Sequence, residues 1–217
     1  QQRTEMLAGV SHDLRTPLTR MKLSLALLPD SPEVRELSDD VDDMQRMIEG
    51  YLAFARGEGD EDPVMSDLSE ILEDVAAGAR HGNASLELSW KGDMNVELRP
   101  IAIKRCLANI VSNAPRYASE IRIEAVRGRT SVEITVDDNG PGIPPEKYED
   151  VFRPFLRLDQ SRNAATGGVG LGLSIARDVA RSHGGDVTLA ASPLGGLRVI
   201  VRIPLLAAPR DLLRGRL

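Results

Sequence analysis

The stretch Ser131-Val132-Glu133-Ile134-Thr135-Val136-Asp137, running on into Asp138-Asn139-Gly140-Pro141-Gly142, decides how this chain is read. Its first part has the β-branched, alternating pattern of a strand, and a hairpin partner over 121–126 lies across Arg127-Gly128-Arg129. Asp138 and the glycines then stand at the strand's end. Asp138 is there either a plain strand-end residue or an acceptor for an exocyclic amine, as a carboxylate reading adenine is. A second cluster, Gly167-Gly168-Val169-Gly170-Leu171-Gly172, opens a predicted helix over 171–182 that ends at His183-Gly184-Gly185. Glycines ahead of a helix N-terminus leave amides free to cradle phosphate. The order strand, turn, long loop, glycines, helix is not the compact unit of a Rossmann fold. No Gly-Lys-Ser/Thr of a P-loop occurs either.

Working outward, residues 68–79 read as a helix capped by Asp67 or Ser66, and 101–114 as an apolar-rich helix. Short strands are predicted at 85–90 and 94–98 around Lys91-Gly92-Asp93, and two more at 186–190 and 197–203. Helices among hairpin-connected strands make an α/β sandwich, with helices layered on a mixed sheet. On the 101–114 helix Asn109 and Asn113 share one face, four residues apart, so their amide oxygens can hold a hard cation such as Mg²⁺; Arg116 can meet phosphate. The blander reading is a pair of capping or core-edge asparagines. Cys106 and Trp90 read as packing residues, His81 as a loop residue, and His183 as a helix-end residue at a place that suits a cation.

The N-terminal segment has a different pattern. Leu7, Val10, Leu14, Leu18, Met21, Leu25 and Leu28 recur at steps of three and four, as do Val34, Leu37, Val41, Met44, Ile48 and Tyr51. Pro29 and Pro32 break the run between them, with Ser31 as N-cap and Pro32 at the first helical position. A hairpin with one apolar seam per helix cannot close a core alone, and a four-helix bundle of two chains completes it. Within Ser11-His12-Asp13-Leu14-Arg15-Thr16-Pro17, His12 points away from the seam, and Thr16 shares its exposed face at i+4. An exposed imidazole beside a carboxylate, near the bend that Pro17 imposes, is a candidate nucleophile or a plain surface histidine. The acidic run Asp39, Asp40, Asp42, Asp43 reads as a solvated helix face. Residues 57–63, Gly-Glu-Gly-Asp-Glu-Asp-Pro, form the best boundary.

Composition narrows the function classes. Of 217 residues, 41% are apolar and 28% charged, as in an ordinary globular chain. The 27 basic and 33 acidic side chains sum to a net charge of −6, which argues against a broad nucleic-acid surface. Aromatics at 3% leave little for base stacking. One cysteine forms no internal disulfide, and no zinc-spaced cluster is present. No apolar run reaches the ~18 residues of a membrane span. The start at Gln1-Gln2-Arg3, without a methionine and directly in helical sequence, looks like a fragment.

An exposed histidine on a dimeric hairpin, a Mg²⁺-capable asparagine pair and two phosphate-friendly glycine loops together point to phosphoryl transfer from ATP to histidine. The order of His12-Asp13, Asn109 to Asn113, Asp138 to Gly142, Phe152-Arg153-Pro154-Phe155 and Gly168 to Gly172 resembles the H, N, G1, F and G2 boxes of bacterial two-component sensor histidine kinases, of the EnvZ-like kind. The resemblance runs from about residue 4 to about residue 204.

It implies an α+β architecture: a dimerisation and histidine-phosphotransfer hairpin at 1–56, a linker at 57–66, an ATP-binding domain of the Bergerat fold at 67–204 and a tail at 205–217. By the same resemblance His12 accepts the γ-phosphoryl group and Asp13 orients or deprotonates it. Asn113, helped by Asn109, holds Mg²⁺ on the ATP phosphates. Asp138 bonds the adenine amine, and Gly140 and Gly142 let the backbone approach the base. Gly168, Gly170 and Gly172 close on the phosphates. Arg116 reaches phosphate and Tyr117 adenine; Arg157 and Arg162, in a lid between Phe155 and Gly167, are phosphate ligands. Thr16 carries phosphatase activity on a response regulator. The implied partners are a second copy of the chain and a response-regulator receiver domain. The implied setting is a cytoplasmic piece of a bacterial inner-membrane protein, making no membrane or nucleic-acid contact itself. Pro115 departs from the family pattern, because it ends the helix near Ala114. It supports the alternative of a degenerate kinase that only docks or dephosphorylates a regulator. An ATPase of the gyrase, Hsp90 or MutL kind is the third reading, set aside by the hairpin that carries His12.

Overall fold

In a computed structural model the described residues are 16–29, 31–55, 61–79, 84–114, 118–156 and 170–205. They fall into two compact units, Gln1–Asp60 with Asp150–Ser174, and Glu61–Glu149 with Ile175–Leu217.

In the first unit, helix α1 covers 16–26 and α2 covers Pro32–Ala55. Ser31 Oγ accepts the Val34 N–H at 3.3 Å, with Pro32 opening the helix, so the cap read from sequence is in place. The apolar seam divides. Leu18 and Val41 are buried and Leu25 and Val34 half-buried, whereas Met21, Leu28, Leu37 and Met44 stay exposed. A single hairpin thus leaves a row of large apolar side chains in water, as half of a bundle does. The acidic run is not wholly a solvated face, because Asp42 pairs with Lys22 at 2.5 Å across the two helices. Later in this unit a 3-10 turn over Asp150–Phe152 buries Val151 and Phe152.

The second unit contains a five-stranded sheet of order β2-β4-β5-β7-β6 and a two-stranded sheet of β1 and β3. The strands are β1 Val64–Asp67, β2 Ser85–Lys91, β3 Asn95–Leu98, β4 Glu120–Arg127, β5 Ser131–Asp138, β6 Asp186–Ala191 and β7 Leu197–Pro204. Strands β2 and β4 run parallel; every other pairing is antiparallel. The hairpin of β4 and β5 matches the sequence reading, and its register sets Ile121 opposite Asp138. On the inner face Ile121, Ile123, Val132, Ile134, Val136 and Val201 are fully buried. Helices α3 (Leu68–Ala79) and α4 (Pro100–Val111) pack on each other, and α5 (Gly172–Ser182) buries Ile175, Ala176, Val179 and Ala180. Each large apolar side chain buried this way contributes about 1.5–3 kcal/mol. Asp67 Oδ1 accepts the Ser69 N–H at 2.9 Å, which makes Asp67 the cap of α3.

Three element-level expectations change. Val64–Asp67, read as boundary and cap, is a strand paired with β3, Val64 opposite Leu98. The strands around Lys91-Gly92-Asp93 are not a hairpin: β2 joins β4 and β3 joins β1. The third is α4, which stops at Val111, with Ser112 as C-cap and a turn over 112–113, so Asn113 lies past the helix rather than on it. A stop at this place fits the proline at 115, which lies outside the described residues.

Candidate active site

The end of β5 is fastened from three sides. Asp138 Oδ1 accepts the N–H groups of Gly140 (2.8 Å) and Leu197 (3.1 Å), and its carbonyl accepts that of Gly196 (3.1 Å). Among the described residues nothing donates to Oδ2, so one carboxylate oxygen is anchored and the other is left to accept. Asn139 holds the neighbouring strand: its Oδ1 accepts the N–H groups of Ser119 (2.9 Å) and Glu120 (3.0 Å). Directly behind, Asp137 is 2% exposed and meets Arg198 fork to fork, Nε to Oδ1 at 2.8 Å and Nη2 to Oδ2 at 2.7 Å. The Asp137 hydrogen bonds hold the Arg198 guanidinium even more firmly protonated than usual.

Gly142 has φ +69°, a backbone that favours glycine, and a β-carbon there would stand 3.3 Å from the Gly196 carbonyl oxygen. The reason for glycine at 142 is therefore found within the protein: the loop between β6 and β7 packs against it. Gly196, Leu197 and Asn139 hold the end of β5 in place, and the sequence reading gave them no role. The Gly195-Gly196 pair was visible but reads as an ordinary turn, and its closeness to Asp138 depends on pairing 60 residues away.

Asn109 lies in the last turn of α4, and Asn113 follows it, tied by its N–H to the Ile110 carbonyl at 3.2 Å. Ala118 N–H then bonds the Ala114 carbonyl at 2.9 Å, leading the chain to β4, whose start is the strand end paired with Asp138. The asparagines and the 138–142 loop thus belong to one end of the sheet. Asn109 Nδ2 is buried with no hydrogen-bond partner among the described residues. A buried amide left unpaired carries a desolvation cost, and a flip of the group exchanges its donor for its acceptor, so it suits a ligand there.

In the other unit Gly170 has φ +72°, and its carbonyl accepts the Phe155 N–H at 2.9 Å. A β-carbon on it would stand 2.9 Å from the Leu156 carbonyl oxygen, so this glycine too is required by its own chain. Gly172 is the first residue of α5. Thr16 is exposed at the described start of α1. His12, Asp13, Arg116, Tyr117, Arg157, Arg162 and Gly168 lie outside the described residues.

Residues 98–207 match the family model of histidine kinase-, DNA gyrase B- and HSP90-like ATPases, and residues 2–60 match that of the His Kinase A (phospho-acceptor) domain. The chain belongs to the sensor histidine kinases. It holds the two domains of their catalytic core in the expected order, in the α+β arrangement read from sequence. Among relatives, the sensor histidine kinase CpxA of Escherichia coli is 37% identical over 212 residues, covering 92% of this chain and 46% of its own. The sensor histidine kinase GtrS of Pseudomonas aeruginosa is 34% identical over 206 residues, 94% of this chain and 42% of its own. This chain therefore spans about half the length of the curated relatives it matches. The solved histidine kinase domain of the E. coli osmosensor EnvZ aligns with a TM-score of 0.53 and 32% identity, over 73% of this chain and 99% of that one. Among the described residues of this sensor kinase, no helix is long and apolar enough to cross a membrane.

Proposed function

We propose that the chain autophosphorylates on His12 with ATP and passes the phosphoryl group to an aspartate on a response-regulator receiver domain. In the first step a bond forms between an imidazole nitrogen of His12 and the γ-phosphorus. The bond to the β–γ bridging oxygen breaks, ADP leaves, and the imidazole proton passes to Asp13 or water. In the second, a bond forms between the regulator's carboxylate oxygen and the phosphorus, the bond from the His12 nitrogen to phosphorus breaks, and the ring takes a proton back from Asp13 or water to regenerate the imidazole. Asp138 orients the nucleotide through its second oxygen, with Gly140 and Gly142 at the base and Tyr117 beside it. Gly168, Gly170 and Gly172, with Arg116, Arg157 and Arg162, meet the phosphates. Asn113 and Asn109 would hold Mg²⁺, which neutralises phosphate charge when bound. Thr16 serves dephosphorylation of the regulator.

The observation that carries this reading is the half-anchored carboxylate of Asp138, in a chain that also has a phospho-acceptor domain. The exposed Met21, Leu28, Leu37 and Met44 support a homodimer. Thr16 and Leu23 lie two turns apart on one face of α1, with Leu27 next; Leu23 is 64% and Leu27 87% exposed, which supports a protein partner beside the histidine. We place the phosphotransfer hairpin at 1–56 and, after the linker, the ATP-binding domain through 204; β1 belongs to that domain, so the linker ends ahead of Val64 rather than at 66, and the chain is the cytoplasmic piece of a membrane-anchored kinase. The test is incubation with γ-labelled ATP and Mg²⁺ beside His12→Ala and Asn113→Ala. Acid-labile, base-stable label that both variants lose is the expected result. Absence of label with nucleotide binding intact would replace the kinase by a regulator-docking or phosphatase module.

A further inference from the structure

Helix α4 opens on Pro100, which has no N–H, and Ile103 already donates to the Arg99 carbonyl at 3.0 Å. The donors left in the first turn are those of Arg99, Ile101 and Ala102, and each is taken by a side chain distant in sequence. Glu61 accepts the Ile101 N–H through Oε1 at 2.7 Å and the Ala102 N–H through Oε2 at 3.0 Å. His183 accepts the Arg99 N–H through Nε2 at 3.2 Å. Its Nδ1 stands 2.8 Å from the Val179 carbonyl oxygen, which fits the neutral ring with its proton on Nδ1. Arg99 closes the junction, its Nη2 donating to the Ser182 carbonyl at 2.9 Å and to Ser182 Oγ at 2.6 Å.

Satisfying amides is not by itself a reason for this arrangement. The Ile101 side chain is 75% exposed, so water can reach this turn. What the side chains add is position, with a carboxylate at the positive end of the helix. They fasten the start of α4 to the segment ahead of β1 and to the C-terminal end of α5. The far end of the same helix carries Asn109, and Asn113 follows, bound back through the Ser112 N–H to Ala108 (2.9 Å) and its own N–H to Ile110 (3.2 Å). A 12-residue helix is a stiff rod about 18 Å long, so a slip at its start moves both asparagines.

We infer that Glu61 and His183 are positioning residues that set where Asn109 and Asn113 meet nucleotide-bound Mg²⁺. The inference rests on the proposed role of those asparagines. It is tested on the whole chain by calorimetric titration with ADP, with and without Mg²⁺, beside thermal melts. The ratio of the two dissociation constants reports what the cation adds. Glu61→Ala and His183→Ala should each shrink that ratio severalfold and leave the Mg²⁺-free constant unchanged. His183→Gln, which can place an acceptor near Nε2, should restore most of it. A lowered melting temperature with the wild-type ratio would overturn the inference by reducing both residues to structural supports. Asn113→Ala separates the two readings. If it keeps the wild-type ratio, the proposed role of the asparagines fails. If it abolishes the Mg²⁺ effect while the Glu61 and His183 variants keep it, the positioning role fails. Should an alanine variant not fold, Glu61→Gln, which turns one of the two acceptors into a donor, and His183→Phe, which fills the ring's place without an acceptor, carry the comparison: an unchanged ratio in either overturns the role of that residue.

Discussion

Gly196 lies against Asp138 with no room for a side chain: a β-carbon there would overlap Asp138 Oδ1 and stand 2.5 Å from the Gly140 nitrogen. Neither neighbour can give way freely, because Oδ1 is held by two backbone amides and Gly140 is backbone. Gly196→Ala should therefore push the end of β5 away from β7 and tilt the carboxylate. Overpacking of this kind costs about 1–3 kcal/mol of stability. ATP affinity should fall further than that destabilisation alone explains. A melt and a titration with a fluorescent ATP analogue, on the same preparation, check both halves.

Asp137 and Arg198 form a pair with unequal halves, the carboxylate 2% and the guanidinium 33% exposed. Removing one partner of a buried pair costs about 3–5 kcal/mol, chiefly because the other charge is left stranded. Arg198→Ala strands the buried carboxylate and should fall in or near that range. Asp137→Ala strands a cation with partial access to water and should cost less. The double variant should be more stable than Arg198→Ala alone. Urea unfolding of the three proteins at pH 7 measures the order, and equal costs for the two single variants would refute the asymmetry.

These two positions also show what was legible in the sequence. The β4–β5 hairpin, α3 with its cap, and Ser31 at the start of α2 follow from patterns within a few residues, and the structure has them nearly where the pattern put them. Asp138 and the asparagines stand out because their residue types announce chemistry. Strand β1 was missed because four residues with an uncovered start carry too little pattern to read as a strand. The pairing of β2 with β4 and of β3 with β1 is a non-local choice, invisible to a turn-based reading of Lys91-Gly92-Asp93. Glu61 and His183 reach α4 across 40 and 84 residues, and Asp137 meets Arg198 across 61. Such contacts are set by the packed fold, and no local propensity encodes them.

Asp186 begins β6 within reach of Arg177 and Arg181, and Arg177 also grips Glu149 at 2.7 Å. Burial alone would raise the Asp186 carboxyl, but the hydrogen bonds from the two arginines and the Val187 N–H outweigh it and leave the group at about 2. The Glu149 carboxylate is lowered as well, by the Arg177 hydrogen bond. A group depressed on folding contributes stability above its unfolded value near 3.9, and that stability disappears as pH falls through the folded value. Asp186→Asn should thus melt below the wild type at pH 7, and the gap should close between about pH 4 and pH 2. A gap that stays constant over that window would mean the side chain acts by shape rather than charge.

Asp138→Asn isolates the chemistry of the site from its architecture. The amide oxygen of asparagine can keep the place of Oδ1, accepting from Gly140 and Leu197, so the fold and the melting temperature should change little. The other terminus changes from an acceptor into an NH₂ donor, which faces the adenine amine as donor against donor. A polar site that loses its complement typically gives up about 1–3 kcal/mol, or roughly fivefold to 150-fold in affinity. The same NH₂ matches the carbonyl that guanine presents in place of that amine, so the preference for ATP over GTP should narrow. Competition of ATP and GTP against a fluorescent analogue measures both effects. If the variant binds ATP as tightly as the wild type, Asp138 is a strand-end fastener and the base is read elsewhere.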